Sequence, residues 1–257
     1  MKARLELQND RRLARVILTA PKANILDQQL VTELDAIFIS LEGERKLRAI
    51  VIESEGPDFS FGASIEEHLP DRIEGALARM GALLRRVAST PAPTIAALRG
   101  RCLGGGFELV LACDLVIAEE SATLALPEIK LGVFPPAASV LLPLRIGVAP
   151  ASAAILTGES WSATRAMQLG LVTRVSPDGE LRSSVDAFIE EHFAALSPNA
   201  LRKTTRIVRR AIVKALEEEL PKIDRIYLDE LMAHPDPEEG MRAFLDKRPP
   251  RWSSSES

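Results

Sequence analysis

The sequence predicts a layered α/β chain with parallel strand pairing, followed by a helical region. Three observations predict it. Short apolar runs alternate with helix-period stretches along the first part of the chain, the order of repeated strand-turn-helix units. Clusters of glycine and proline, such as Thr90-Pro-Ala-Pro93, separate them. From about Asp186 the apolar spacing becomes almost wholly helical, so the expected division is 1–185 for the α/β core and 186–257 for the helices.

Taken in chain order, Leu13-Ala-Arg-Val-Ile-Leu18 is an expected strand, because it is short, apolar and rich in branched residues. Leu30, Leu34, Ile37, Phe38 and Leu41 follow at helical spacing. Leu47-Arg-Ala-Ile-Val-Ile52 is a second strand, and Gly56 to Ile65 is a turn region that presents Gly62-Ala63-Ser64 at its end. Ala76 to Val87 has helical period and stops at the Thr90–Pro93 breaker, after which Thr94 to Leu98 reads as a strand. Beyond Asp186, Leu201, Ile207, Val208, Ile212, Leu216, Leu220, Ile223, Ile226, Leu228 and Leu231 supply apolar helix faces.

Composition narrows the function classes. With 46% apolar and 26% charged residues, 257 residues can bury one large core. A net charge of -4 gives no electrostatic case for nucleic acid. The densest basic run, Arg202, Lys203, Arg206, Arg209, Arg210 and Lys214, reads as a solvated helix face beside the acidic Glu217-Glu-Glu219. Cys102 and Cys113 have no second pair, so neither a disulfide framework nor a zinc site is expected, and both read as buried small hydrophobes. No apolar segment reaches the ~20 residues of a membrane span, and Met1-Lys-Ala-Arg-Leu-Glu-Leu lacks a signal-peptide core, so the expectation is cytoplasmic, with no membrane partner.

The chemistry concentrates at Gly104-Gly-Gly-Phe-Glu108, where a strand meets three glycines and an apolar helix. Glycine lets a ligand approach the backbone, and a helix start adds its positive dipole end there. Glu108 lies among residues that favour burial, so it needs a partner or a function. These residues alone fit a glycine turn with a salt-bridged glutamate as well as they fit an anion site. Glu128 follows Pro127 and precedes a second apolar run. Two glutamates in apolar settings suit general acid and base work. A Rossmann reading fails on order, because the glycines lie mid-chain.

The ordered set Pro21-Lys-Ala-Asn24, Phe59-Ser-Phe-Gly-Ala63, Gly104-Gly-Gly-Phe-Glu108, Pro127-Glu128, Leu169-Gly-Leu-Val172 and Glu239-Gly-Met-Arg-Ala-Phe-Leu-Asp-Lys-Arg248 resembles the crotonase superfamily. This is the enoyl-CoA hydratase and isomerase group, and the resemblance runs from about Leu13 to Arg248. It implies a crotonase-like ββα spiral with a C-terminal helical trimerisation region, assembled as a homotrimer or a dimer of trimers. It also implies an acyl-CoA substrate, with no cofactor and no metal. Ala63 and Gly105 map onto the two backbone N–H groups of the oxyanion hole, and Glu108 and Glu128 onto the catalytic pair. Lys22, Ala23, Phe61, Ser64, Ile65, His68, Phe134, Pro136 and Lys247 are the expected substrate contacts. The presence of both glutamates favours a hydratase over a one-carboxylate isomerase or a non-catalytic acyl-CoA-binding protein.

Departures from the superfamily pattern refine that expectation. Ser64 stands where aspartate is usual, Phe61 replaces a small residue, and Pro135-Pro-Ala-Ala-Ser139 replaces a glycine-rich run. Pro136 removes a backbone N–H that elsewhere helps to hold the attacking water, leaving the two glutamates and Ser139 to hold it. Phe59 to Pro70 with Gly132 to Ser139 resembles the branch that hydrates cyclohexa-1,5-diene-1-carbonyl-CoA in anaerobic aromatic degradation. Phe61, Phe134 and Pro135 to Ala137 are expected to form a flat slot for the ring. A straight-chain enoyl-CoA remains the alternative substrate.

Overall fold

The computed structural model describes residues 1–253. The side chains of Lys22 and Ala23 lie outside what it describes. Nine strands occur in it: β1 (Ala3–Gln8), β2 (Leu13–Leu18), β3 (Ala49–Ser54), β4 (Thr94–Leu98), β5 (Arg101–Leu103), β6 (Leu115–Glu119), β7 (Thr123–Ala125), β8 (Ser160–Ser162) and β9 (Arg174–Ser176). They form a six-stranded sheet of order β1-β2-β3-β4-β6-β9 and a three-stranded sheet of order β5-β7-β8. In the larger sheet only the β1–β2 pair is antiparallel. β1 was not legible as a strand, because its charged residues interrupt the apolar run.

The helices of the α/β part are α1 (Pro21–Asn24), α2 (Gln28–Leu41), α3 (Ile73–Ser89), α4 (Gly105–Leu111), α5 (Pro136–Ile146), α6 (Val148–Thr157), α7 (Ala163–Gln168) and α8 (Leu181–Phe193). α9 (Pro198–Val208), α10 (Arg210–Lys214), α11 (Leu220–Arg225) and α12 (Pro235–Leu245) complete the chain, with π-helical turns at Ala215–Glu219 and Ile226–Leu231.

The inner strands are apolar on both faces because both faces are covered. Alternate residues Ala14, Val16, Leu18, Ile50, Ile52 and Ala96 join the main core beneath α2 to α5. Their neighbours Leu13, Ala49, Val51, Ile95 and Ala97 face Leu181, Val185 and Phe188 of α8. The period of two along each strand therefore distributes one sheet between two layers. The expected boundary at 185/186 falls inside α8, whose apolar stripe belongs to this second layer.

Two buried arginines tie distant segments together. Arg15 in β2 is 1% exposed and pairs with Glu53 at 2.8 Å and with Asp186 of α8. Arg209, at the end of α9, is 4% exposed. It donates from Nε to Asp114 at 2.7 Å and from Nη1 and Nη2 to the Ala88 and Ala92 carbonyls at 3.2 and 3.0 Å. The expectation of a solvated basic face therefore fails at Arg209. Its guanidinium closes the C-terminal end of α3, where backbone carbonyls lack intrahelical donors.

Candidate active site

Three chain segments converge at the glycine run. Gly104 adopts φ 50° and ψ -125°, a combination suited to glycine, and α4 begins at the next residue. A Cβ on Gly104 would lie 2.7 Å from Glu128 Oε1, so the bare backbone is what admits that carboxylate. Across the gap, Gly62 has φ 94°, and a Cβ on it would meet the Leu103 carbonyl at 2.9 Å. The Gly62-Ala63-Ser64 turn is thereby held against β5 and the start of α4.

The two predicted donors stand close together. The Cβ position of Gly105 is 3.2 Å from Ala63 N. As the first residue of α4, Gly105 has no intrahelical acceptor for its N–H. Leu26 pairs with the turn by donating to the Gly62 carbonyl at 2.9 Å and accepting from Ser64 N–H at 3.3 Å. The Ala63 N–H between them is not used by that pairing.

Glu108 is 6% exposed, and its Oε1 accepts from Ala138 N–H at 2.9 Å. Ala138 lies in the first turn of α5, so the carboxylate sits at a positive helix end. Pro136 is the first residue of α5, where the missing N–H forfeits no helical bond. Burial nevertheless dominates and pushes the Glu108 carboxyl up to about 7, against the lowering by Ala138 and Ala137. Glu128 Oε2 is out of solvent and has no partner among the described residues. Burial first, and then the Glu108 charge, push Glu128 up to about 8. The pair therefore holds one carboxyl protonated beside one that ionises near neutrality, as acid and base work requires.

A small cavity of about 40 Å³ opens on Glu108 and is walled by Ala63, Ser64, His68, Leu77, Met80 and Pro136. It has room for a few waters but not for an acyl thioester. Of the expected site residues, Ala63, Ser64, His68 and Pro136 line this cavity together with Glu108. His68 accepts or donates at Nδ1 with the Ser64 carbonyl at 2.8 Å, and burial lowers its pKa.

Other expected contacts lie elsewhere. Phe61 is 37% exposed and stacks beneath the Arg101 guanidinium at 4.1 Å, so it does not narrow this cavity. Alternation along an extended turn placed its side chain on the outer side. Ile65 is half-buried at the start of a 3₁₀ turn, Ile65–His68, and is not a cavity wall. Lys247 is exposed beyond α12. Ser139 donates to the Pro135 carbonyl at 2.7 Å, so its hydroxyl serves the helix and not the reacting water. Phe134 packs edge-on to Tyr227 with ring centroids 5.2 Å apart. Lys22 and Ala23 fall among the undescribed side chains.

The structure adds two residues that sequence reasoning passed over. Asp224 lies on α11 and is pushed up to about 6, mainly by burial, and its charge bears on Glu108. Tyr227, three residues later, is 1% exposed, and both glutamates disfavour its phenolate. Their spacing puts them on one helix face. An acid and a phenol at i and i+3 within an apolar stripe were the available signal.

Comparison with known proteins gives the family. Residues 8–255 match the family model described as enoyl-CoA hydratase/isomerase. The chain is 39% identical over 248 residues to a cyclohexa-1,5-dienecarbonyl-CoA hydratase from Thauera aromatica, covering 96% of this chain and 95% of that one. It is 35% identical to a probable enoyl-CoA hydratase from Bacillus subtilis, covering 96% and 98%. A solved enoyl-CoA hydratase from Mycobacterium avium subsp. paratuberculosis superposes with a TM-score of 0.87 at 27% identity, covering 99% of both chains. A mixed α/β architecture of this kind, matched over nearly its whole length, belongs to the enoyl-CoA hydratase/isomerase family of enzymes.

Proposed function

We propose that the chain adds water to a conjugated acyl-CoA thioester, and that its substrate is cyclohexa-1,5-diene-1-carbonyl-CoA, giving 6-hydroxycyclohex-1-ene-1-carbonyl-CoA. The observation that carries the reaction class is the pair Glu108 and Glu128, buried beside each other and pushed up to about 7 and about 8. The thioester oxygen accepts from Ala63 and Gly105 N–H, which withdraws charge along the conjugated system. A donor placed there is worth ~3–4 kcal/mol to the developing oxyanion. The ionised glutamate takes a proton from water as its oxygen bonds to the electrophilic carbon. The protonated one delivers a proton to the carbon that carries the displaced charge, so both carboxyls are required.

The cyclic acyl group is supported by the 39% identity to the Thauera enzyme and by the Pro135-Pro136 entry to α5. The ring requires the cavity to widen, with α3 and the Ser64–His68 turn moving off α5. Exposed apolar residues Val148, Leu156, Ile207, Val208 and Phe244 support self-association into trimers, singly or paired.

The test presents purified protein with cyclohexa-1,5-diene-1-carbonyl-CoA, cyclohex-1-ene-1-carbonyl-CoA and crotonyl-CoA. Conjugated-thioester absorbance and product mass are followed together. The cyclic diene should gain one water with kcat/KM at least ~10-fold above crotonyl-CoA. A better rate with crotonyl-CoA rejects the cyclic substrate, and a product of unchanged mass rejects hydration.

A further inference from the structure

Tyr227 is a buried apolar-cluster residue with a polar tip whose place the chemistry above does not explain. Its ring lies in a cluster with Ile73, Leu77, Val133 and the partly buried Phe134. Leu77 also walls the cavity that opens on Glu108, so the phenol and the cavity share a side chain. Phe134 is six residues beyond Glu128 and meets the Tyr227 ring edge-on. The hydroxyl has no hydrogen-bond partner among the described residues, and neither has Glu128 Oε2. A buried hydroxyl without a partner costs free energy that a core position would have avoided with phenylalanine. Two such buried atoms, near enough for the Glu128 charge to disfavour the phenolate, can be satisfied together by a shared third group.

Local backbone geometry directs the ring inward. Tyr227 is the second residue of the Ile226–Leu231 π-turn, whose wider winding alters the phase of the helix. Ile226 beside it is 42% exposed while Tyr227 is 1% exposed. Burial and the two carboxylates both raise the phenol pKa, so the hydroxyl keeps its proton at neutral pH. A neutral donor is what Glu128 Oε2 lacks among the described residues, whereas Glu108 already has the Ala138 N–H. Pro136 has no N–H to give, and Ser139 already donates to its own helix.

We propose that Tyr227 is a catalytic residue that donates its Oη hydrogen to the oxygen of the reacting water, which Glu128 and Glu108 hold from the other sides. The inference rests on the hydratase reading. In the step, a water O–C bond forms to the electrophilic carbon, the water proton passes to the ionised carboxylate, and the protonated carboxyl gives its proton to the substrate carbon. Tyr227 begins and ends the step protonated. Its contribution is to fix the lone pair of the water on the line of attack.

The test is Tyr227→Phe, which keeps the ring and its packing on Phe134. With whichever of the three thioesters the unmodified enzyme hydrates fastest, kcat should fall ~10–100-fold with KM changed less than ~3-fold. The melting temperature should stay level or rise, since an unpartnered hydroxyl has gone. The pH profile should also move, because a donor near Glu128 favours its ionised form, so the profile's alkaline limb shifts upward in the variant. A folded Tyr227→Phe enzyme with unchanged kcat and profile overturns the proposal. If the unmodified enzyme hydrates none of the thioesters, the hydratase reading fails. The position of Tyr227 is then read by infrared titration of the Glu128 carboxyl, assigned through Glu128→Gln. An unmoved midpoint in Tyr227→Phe rejects the contact.

Discussion

Replacing Glu128 by glutamine should make the protein more stable and less active, and the pH dependence of the gain identifies its cause. Glu128 rises from an ordinary 4.5 to about 8 because burial and the Glu108 charge oppose ionisation. A folded-state value raised in this way contributes stability that is fully present below about 4.5 and is lost as pH rises through about 8. Each pH unit in that window is worth about 1.4 kcal/mol, so at pH 7 the folded chain forgoes about 3 kcal/mol relative to a neutral isostere. The glutamine amide is itself buried without an obvious partner, at a cost of ~1–2 kcal/mol. The net expectation is a gain of ~1–2 kcal/mol at pH 7, or ~3–6 °C for a chain of this size, growing towards pH 8 and absent at pH 4. Thermal unfolding followed by circular dichroism at those three pH values measures it. Turnover should fall ~100-fold in the same preparation. A gain of equal size at all three pH values, or none at pH 8, would refute the assignment of a strained carboxyl.

Further outcomes follow from other parts of the site. Hydration rate should peak between about pH 7 and pH 8, because below this both carboxyls are protonated and no base remains, and above it both are ionised and no acid remains. A pH–rate series on kcat/KM checks this. Gly104→Ala should lower turnover at least ~10-fold in a folded protein, since its Cβ would displace Glu128 Oε1 from 2.7 Å and its φ of 50° strains any side chain, at ~1–3 kcal/mol of stability. Arg209→Met should cost ~3–5 kcal/mol in denaturant unfolding, because Asp114 would keep a largely buried charge without its guanidinium. Phe61→Ala should leave the ratio of cyclic to straight-chain kcat/KM within ~2-fold, since the ring stacks under Arg101 and not in the cavity.

Legibility in the sequence followed the range of the interactions. Glu108 was readable because its neighbours Phe107, Leu109 and Val110 left a carboxylate nowhere to go but inward. Glu128 was readable from its proline and the apolar run behind it. Ala63 and Gly105 came from the resemblance to the crotonase pattern, whose glycine turns state their backbone geometry locally. Phe61 misled because a turn residue's side is set by the strand it docks on, here through Arg101, and no spacing rule reports that. Tyr227 and Asp224 were hidden for the opposite reason. They lie about a hundred residues beyond the glutamates, in helices whose apolar stripe explained their burial without pointing to the site they face. Arg209 was masked by exposed basic neighbours, and its partners at Asp114 and the end of α3 distinguish it.

That Arg209–Asp114 clasp also sets an order of events during synthesis. Asp114 immediately precedes β6, the strand between β4 and the edge strand β9 of the main sheet, and its guanidinium partner lies 95 positions later. As the chain emerges from the ribosome, the strands and α3 can collapse, but the Asp114 carboxylate lacks its ion-pair partner, and the carbonyls at the end of α3 their guanidinium donor, until the ninth helix has been made. The nascent core therefore stays loosely shut at that corner for most of translation. Closure of that corner and packing of Tyr227 against Phe134 then occur in one late event, because the same helical stretch carries Arg209 and Tyr227. A nascent fragment ending before residue 209 should remain protease-sensitive near Ala88–Thr94, whereas the released chain should resist cleavage there.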